Sequence, residues 1–126
     1  MKIIAFDVGE RRTGVAFFDS AIDFVIPLDT IQHANADALL EAADAVLRER
    51  GVTKVVVGLP LLPSGLVGSQ ARFARQIQAA LAQRGFDVDE IDERFTTDRV
   101  YPGDGDAKAA CIILNTYLQR KNEKSA

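Results

Sequence analysis

The sequence predicts an α/β fold with a mixed five-stranded sheet flanked by helices, and three observations carry that prediction. The chain opens with three consecutive strand-like segments, and then alternates helix, strand, helix, strand, helix. Its fourth strand candidate is a short β-branched run without alternation, as in a parallel strand covered on both sides. Right-handed crossovers place the two later strands parallel to the first and on one side of it.

Each element has a local reason. Lys2–Phe6 reads as a strand buried on both faces, and the apolar run is broken only by Asp7. Gly9 and Gly14 bracket a tight turn, so that Gly14–Phe18 folds back as an antiparallel partner and Asp7 is held in mid-sheet. Thr13 to Asp19 and Asp23 to Thr30 are the next strands of this meander, separated by Ser20-Ala21-Ile22. From Asn35, the residues Leu39, Leu40, Ala43, Val46 and Leu47 recur at helical spacing, and Gly51 closes the pattern as a C-terminal cap. Thr53–Pro60 supplies the β-branched strand. Pro60 to Gly68 is a loop, and Ser69 is expected to cap a helix that buries Phe73, Ile77, Ala80 and Leu81 and turns Arg72, Arg75 and Gln76 outward. Gly85 ends that helix, Phe86 to Ile91 returns as a strand, and Asp92–Thr97 follows at its carboxyl end. The last helix runs from Asp106 to Arg120 and buries Ala110, Ile113, Leu114, Tyr117 and Leu118. Residues 1–120 then form a single domain, and residues 121–126 a polar C-terminal tail.

Composition limits the chemistry. A chain of 126 residues, 48% hydrophobic and 26% charged, is long enough for one core. No apolar run approaches the roughly 20 residues that span a bilayer, and no basic-then-apolar leader precedes the first strand, so the expected setting is cytoplasmic, away from membrane. The one cysteine, Cys111, falls among apolar residues and reads as a core thiol. The one histidine, His33, lies in a polar connection with no evident partner, which leaves no histidine dyad and no zinc site.

Acids are what remain. In a sheet of this order, sites form outside the carboxyl ends of the parallel strands, and Asp7 and Glu93 both fall there. Asp106 lies four residues before Ala110, on the buried stripe of the last helix. An Asp at a helix start caps the first turn, and Asp92 and Glu93 can pair with Arg94, so each acid has an ordinary structural account. Their convergence does not: like charges ~4 Å apart repel by ~4 kcal/mol at an effective dielectric of ~20. A divalent cation is the natural counter-ion, all-oxygen ligation suits Mg²⁺ or Mn²⁺, and such ions serve phosphodiester hydrolysis.

Asp7-x-Gly9 with Arg11-Arg12-Thr13-Gly14-Val15-Ala16, then Val57-Gly58-Leu59-Pro60, then Asp92-Glu93-Arg94-Phe95-Thr96-Thr97, then Asp106-x-x-Ala109-Ala110, resembles the YqgF/RuvX family over nearly the whole chain. The resemblance implies a ribonuclease-H-like fold, kinship with RuvC-type Holliday junction resolvases, and a role as a nuclease maturing the 5′ end of the pre-16S ribosomal RNA. It also implies that Asp7, Glu93 and Asp106 are the metal-binding catalytic acids. Arg11, Arg12 and Arg94 stand beside these acids and suit phosphates of nucleic acid. Arg72 and Arg75 are candidates for the same task, although a solvated helix face explains them better. The segment between Thr97 and Asp106 is shorter than the family's usual one, and Asp104 competes with Asp106 for the third acid position. A homodimer would supply the paired sites that a junction requires. Two other readings attach to these residues: an RNA-binding module of the same fold without turnover, and a kinase-like nucleotide-binding fragment, suggested by the Asp-x-Gly hairpin but lacking a second phosphate loop.

Overall fold

A computed structural model of the chain describes residues 1–93 and 104–125. Its elements are β1 (Lys2–Val8), β2 (Arg12–Asp19), β3 (Phe24–Gln32), α1 (Ala36–Glu49), β4 (Lys54–Leu59), α2 (Ser69–Gln83), β5 (Asp87–Asp92) and α3 (Gly105–Ser125). The five strands form one sheet in the order β3-β2-β1-β4-β5. β1 pairs antiparallel with β2 and parallel with β4, and β4 pairs parallel with β5, as expected of a meander followed by two crossovers.

Strand alternation sorts the core into two layers. Ile4, Phe6 and Val8 of β1 face α1 and α2 together with Val55, Val57 and Leu59 of β4. Ile3 and Ala5 face α3 with Val56, Ile91, Ala110, Ile113 and Leu114. Asp7 continues the second series, so it lies on the α3 face of the central strand. Cys111 is buried in that layer, and burial pushes its thiol up to about 11, which makes it a core residue.

Four details differ from the sequence expectation. Gly14 is not in the turn: β2 begins at Arg12, and Gly14 sits within the strand directly opposite Asp7. β3 runs on to Gln32 because Thr13 and Arg12 pair with Ile31 and Gln32 beyond a bulge between Thr13 and Val15. α2 is capped by Gly68 in extended conformation, with Ser69 already helical and no side-chain cap bond. α3 extends to Ser125, so residues 121–125 of the expected tail are helical; no Gly or Pro after Arg120 stops the propagating helix.

Candidate active site

The acid end of the sheet is assembled by two glycines. Asp7 on β1 and Glu93, which follows β5, are separated laterally by β4, a gap of about 10 Å for two strand spacings. Gly58 of β4 lies between them. A Cβ there would stand 2.9 Å from both Cγ and Oε1 of Glu93 and 2.5 Å from Cδ1 of Ile113. The absent side chain is the passage through which Glu93 reaches back across β4 to Asp7, with which it shares a hydrogen bond. Gly14 does the same for the helix. A Cβ on Gly14 would come within 1.8 Å of the backbone oxygen of Asp106, so the first turn of α3 rests on β2 only because this position is bare. Asp7 and Asp106 therefore flank one short stretch of the sheet.

Electrostatics follow from this crowding. Burial raises the Asp7 carboxyl above the usual aspartate range; the bond from Glu93 opposes that rise and the charge of Asp106 adds to it. Glu93 is pushed up to about 8, chiefly by burial, then by its bond to Asp7 and by the charges of Asp7 and Asp92. The pair thus favours a protonated Glu93 that donates its hydrogen bond to the Asp7 carboxylate. Asp106 stands in the first turn of α3 and forms an ion pair with Arg12, Nη2 to Oδ2 2.8 Å.

Asp104 has another occupation. Its Oδ1 accepts the Ala107 N–H at 2.9 Å, and the Thr30 hydroxyl donates to both carboxylate oxygens at 2.9 Å, which makes it the N-cap of α3 tied to β3. These bonds, Ala107 first and Thr30 next, hold its carboxyl below the usual range.

The basic residues divide by location. Arg12 is paired with Asp106, and Arg11 and Arg12, both exposed, line an open depression with Gln32, His33 and Ala34. Arg94 lies outside the described residues, as does the segment from Thr97 to Gly103. Arg72 is exposed on α2, in the opposite layer from Asp7. Arg75, on the same helix, is engaged by Glu90 through Nε (3.1 Å) and Nη2 (3.3 Å).

His33 departs from its expected isolation. It is 8% exposed, its Nε2 is 2.9 Å from the Thr13 hydroxyl, its N–H donates to the Arg11 carbonyl at 2.9 Å, and its ring stacks against Phe73. Burial, then Arg11, lowers its pKa. Twenty residues separate His33 from Thr13, so only the β2–β3 pairing reveals the contact. The close approaches at Gly14, read as the edge of a turn, and at Gly58, read as part of a strand motif, were likewise not legible in the sequence. A glycine inside a β-branched run was the available signal.

Among the described residues, no three His, Cys, Asp or Glu side chains come together as a ready-made metal ligand set. The Asp7–Glu93 pair nonetheless fits a divalent cation by its chemistry: two largely buried carboxyls in contact, an all-oxygen donor set of the kind hard cations take. Asp106 is a further carboxylate whose charge acts on Asp7, and it is paired with Arg12.

A mixed sheet of this order, with acids at the end of its central strand and a helix laid across them, defines the ribonuclease-H-like class. The RuvC of Thermus thermophilus, solved in complex with a Holliday junction substrate, superposes with a TM-score of 0.75 at 12% identity, over 100% of this chain and 98% of that one. A second Thermus thermophilus RuvC structure gives a TM-score of 0.69 at 12% identity, over 98% and 97% of the two chains. The family model described as "RuvX: Holliday junction resolvase" matches residues 1–102. A protein of Anaeromyxobacter sp. (strain Fw109-5) named "putative pre-16S rRNA nuclease" is 34% identical over 97% of this chain and 99% of its own length. One of Polaromonas sp. (strain JS666 / ATCC BAA-500), with the same name, is 38% identical over 92% and 86%. The chain belongs to the RuvX family. Among its described residues, no helix is long and apolar enough to cross a membrane.

Proposed function

We propose that the protein is a divalent-metal-dependent nuclease that hydrolyses phosphodiester bonds in structured nucleic acid, with the pre-16S ribosomal RNA as first candidate substrate and a branched DNA junction as second. The observation that carries this reading is the pair of buried carboxyls, Asp7 and Glu93, brought together through Gly58 at the end of the sheet. Two such groups in contact cannot both ionise cheaply, and a divalent cation would offset the charge of both, which suits ligation. Relatives named as pre-16S rRNA nucleases and the junction-bound RuvC neighbour support the substrate classes.

Asp7, Glu93 and Asp106 would hold Mg²⁺ or Mn²⁺. A bound ion of this kind supplies an activated water and neutralises charge developing on the phosphoryl oxygens. The chain's own part is positional. β1 and β5 fix Asp7 and Glu93 in one layer, and α3 brings Asp106 over Gly14. Arg11 and Arg12, which line an open depression, would bind phosphates flanking the scissile bond, and Arg94, next to Glu93 in the sequence, is a further candidate for that task. Binding through phosphates reads little sequence and weakens as salt rises. A junction substrate further calls for two sites in a two-fold dimer, which sedimentation of the protein with and without a four-way junction measures. The cytoplasm is the setting proposed for this work.

The test is cleavage of single-stranded RNA, duplex DNA and a four-way junction by the purified protein and its Asp7→Asn variant, with Mg²⁺, Mn²⁺ or EDTA. Metal-dependent cleavage lost in the variant, with folding unchanged, is the expected result. Equal cleavage by the variant would remove the assigned site. RNA binding without turnover under any metal would favour the non-cleaving module, a reading that the Arg12–Asp106 pair keeps in play by occupying the third acid.

A further inference from the structure

Arg12 is held at the acid end from both sides. The preceding carbonyl, of Arg11, accepts the His33 N–H, and the following residue, Thr13, is bonded through its hydroxyl to His33 Nε2 while pairing in the sheet with Val8 and Ile31. The backbone of Arg12 is thus clasped, and its guanidinium is free to move only about its own side-chain bonds. Its partner is equally anchored. Asp106 follows an N-cap tied to Thr30, and its backbone oxygen lies against Gly14. Yet the pair itself is open to solvent, with side chains 55% and 33% exposed, so the contact between two fixed residues is an exchangeable one.

What it blocks is specific. Asp7 and Glu93 are already joined to each other, and the carboxylate that would complete a three-acid ligand set is the one engaged by Arg12. We infer that Arg12 is an exchangeable counter-ion: it holds Asp106 when no divalent cation is bound and yields it when one binds, whereupon its guanidinium turns to a phosphate of the nucleic acid. The inference rests on the nuclease reading and adds a coupling to it. A cation that takes Asp106 releases the arginine that nucleic acid needs, and by linkage nucleic acid that takes Arg12 releases Asp106 for the cation. Each ligand then tightens the other through one side chain.

Two measurements on the chain of residues 1–126 test this without reference to turnover. Mn²⁺ alone is titrated calorimetrically into the parent, Arg12→Gln and Asp7→Asn. Removing a solvent-exposed competing ion pair should tighten Mn²⁺ binding by about 2- to 5-fold in Arg12→Gln. Asp7→Asn should weaken it. In EDTA, a labelled single-stranded RNA should bind Asp106→Asn more tightly than the parent, and the gain should vanish in the Arg12→Gln/Asp106→Asn double variant. Unchanged or weaker Mn²⁺ binding by Arg12→Gln, beside a weakened Asp7→Asn, would overturn the exchange and leave the metal site standing. Unchanged Mn²⁺ binding by Asp7→Asn would remove the site itself and the inference with it. A gain in RNA affinity that persists in the double variant would assign it to the lost charge alone and overturn the role given to Arg12.

Discussion

The close approach at Gly14 permits a quantitative test, since Gly→Ala there adds one methyl group against backbone. The new Cβ would lie 1.8 Å from the Asp106 oxygen and 2.3 Å from its carbonyl carbon, so the first turn of α3 must retreat by about 1.6 Å to reach the 3.4 Å at which ordinary contact begins. It has little room to do so. Ala107, Ala110 and Leu114 of the same helix are 3%, 0% and 0% exposed, and a retreat opens a gap beneath them. Overpacking of this kind costs 1–3 kcal/mol, and the upper end applies because the obstacle is main chain; about 3 kcal/mol lowers the Tm of a chain this size by roughly 10 °C. Gly105→Ala is the control: the same chemical change one residue before Asp106, with nothing within 4 Å of the added atom. There the substitution should be neutral or stabilise by up to about 1 kcal/mol. Thermal unfolding followed by circular dichroism reads both. A Gly14→Ala protein whose Tm lies within about 2 °C of the parent would refute the packing argument.

Further outcomes follow from the acids. Glu93 titrates at about 8 in the folded chain, above its unfolded value, because the fold favours its protonated form. Its stabilising contribution is therefore complete below the unfolded pKa and is lost as pH rises through about 8, with Asp7 shifted in the same sense. Urea unfolding in EDTA across that window should show falling stability, less steep in Glu93→Gln; a flat profile would contradict the buried pair. Asp104→Ala removes the cap of α3 and should lower the Tm while leaving Mn²⁺ binding intact. Asp106→Ala should do the reverse, and calorimetry showing Mn²⁺ lost with Asp104 instead would make that residue the ligand.

The order of elements was legible because periodicity is local: β-branched runs, helical leucine spacing and glycine stops each sit within a few residues. The candidate acids stood out as residue types, since Asp7 interrupts an apolar strand and Asp106 lies on an apolar stripe. What escaped were particular close contacts between distant segments. Gly14 read as turn chemistry because nothing local says that a helix ninety residues later will rest on it. Gly58 read as part of a motif, not as a window for Glu93. His33 looked solitary because Thr13 becomes its neighbour only through β2–β3 pairing. Asp104 and Asp106 could not be separated by sequence, because the choice depends on Thr30, seventy-four residues away, reaching the first of them.

The register of β1 also has a temporal consequence. Its antiparallel pairing with β2 joins Val8 to Thr13, whereas its parallel pairing with β4 joins Ile3 to Lys54, across a loop whose closure entropy must be met before any contact rewards it. The hairpin carrying Asp7 and Arg12 closes over a short loop and is expected to form before the long-range pairings that bring in Glu93 and Asp106. A chain cut before β5 and α3 would keep Asp7 and Arg12 but lack the other two candidate acids.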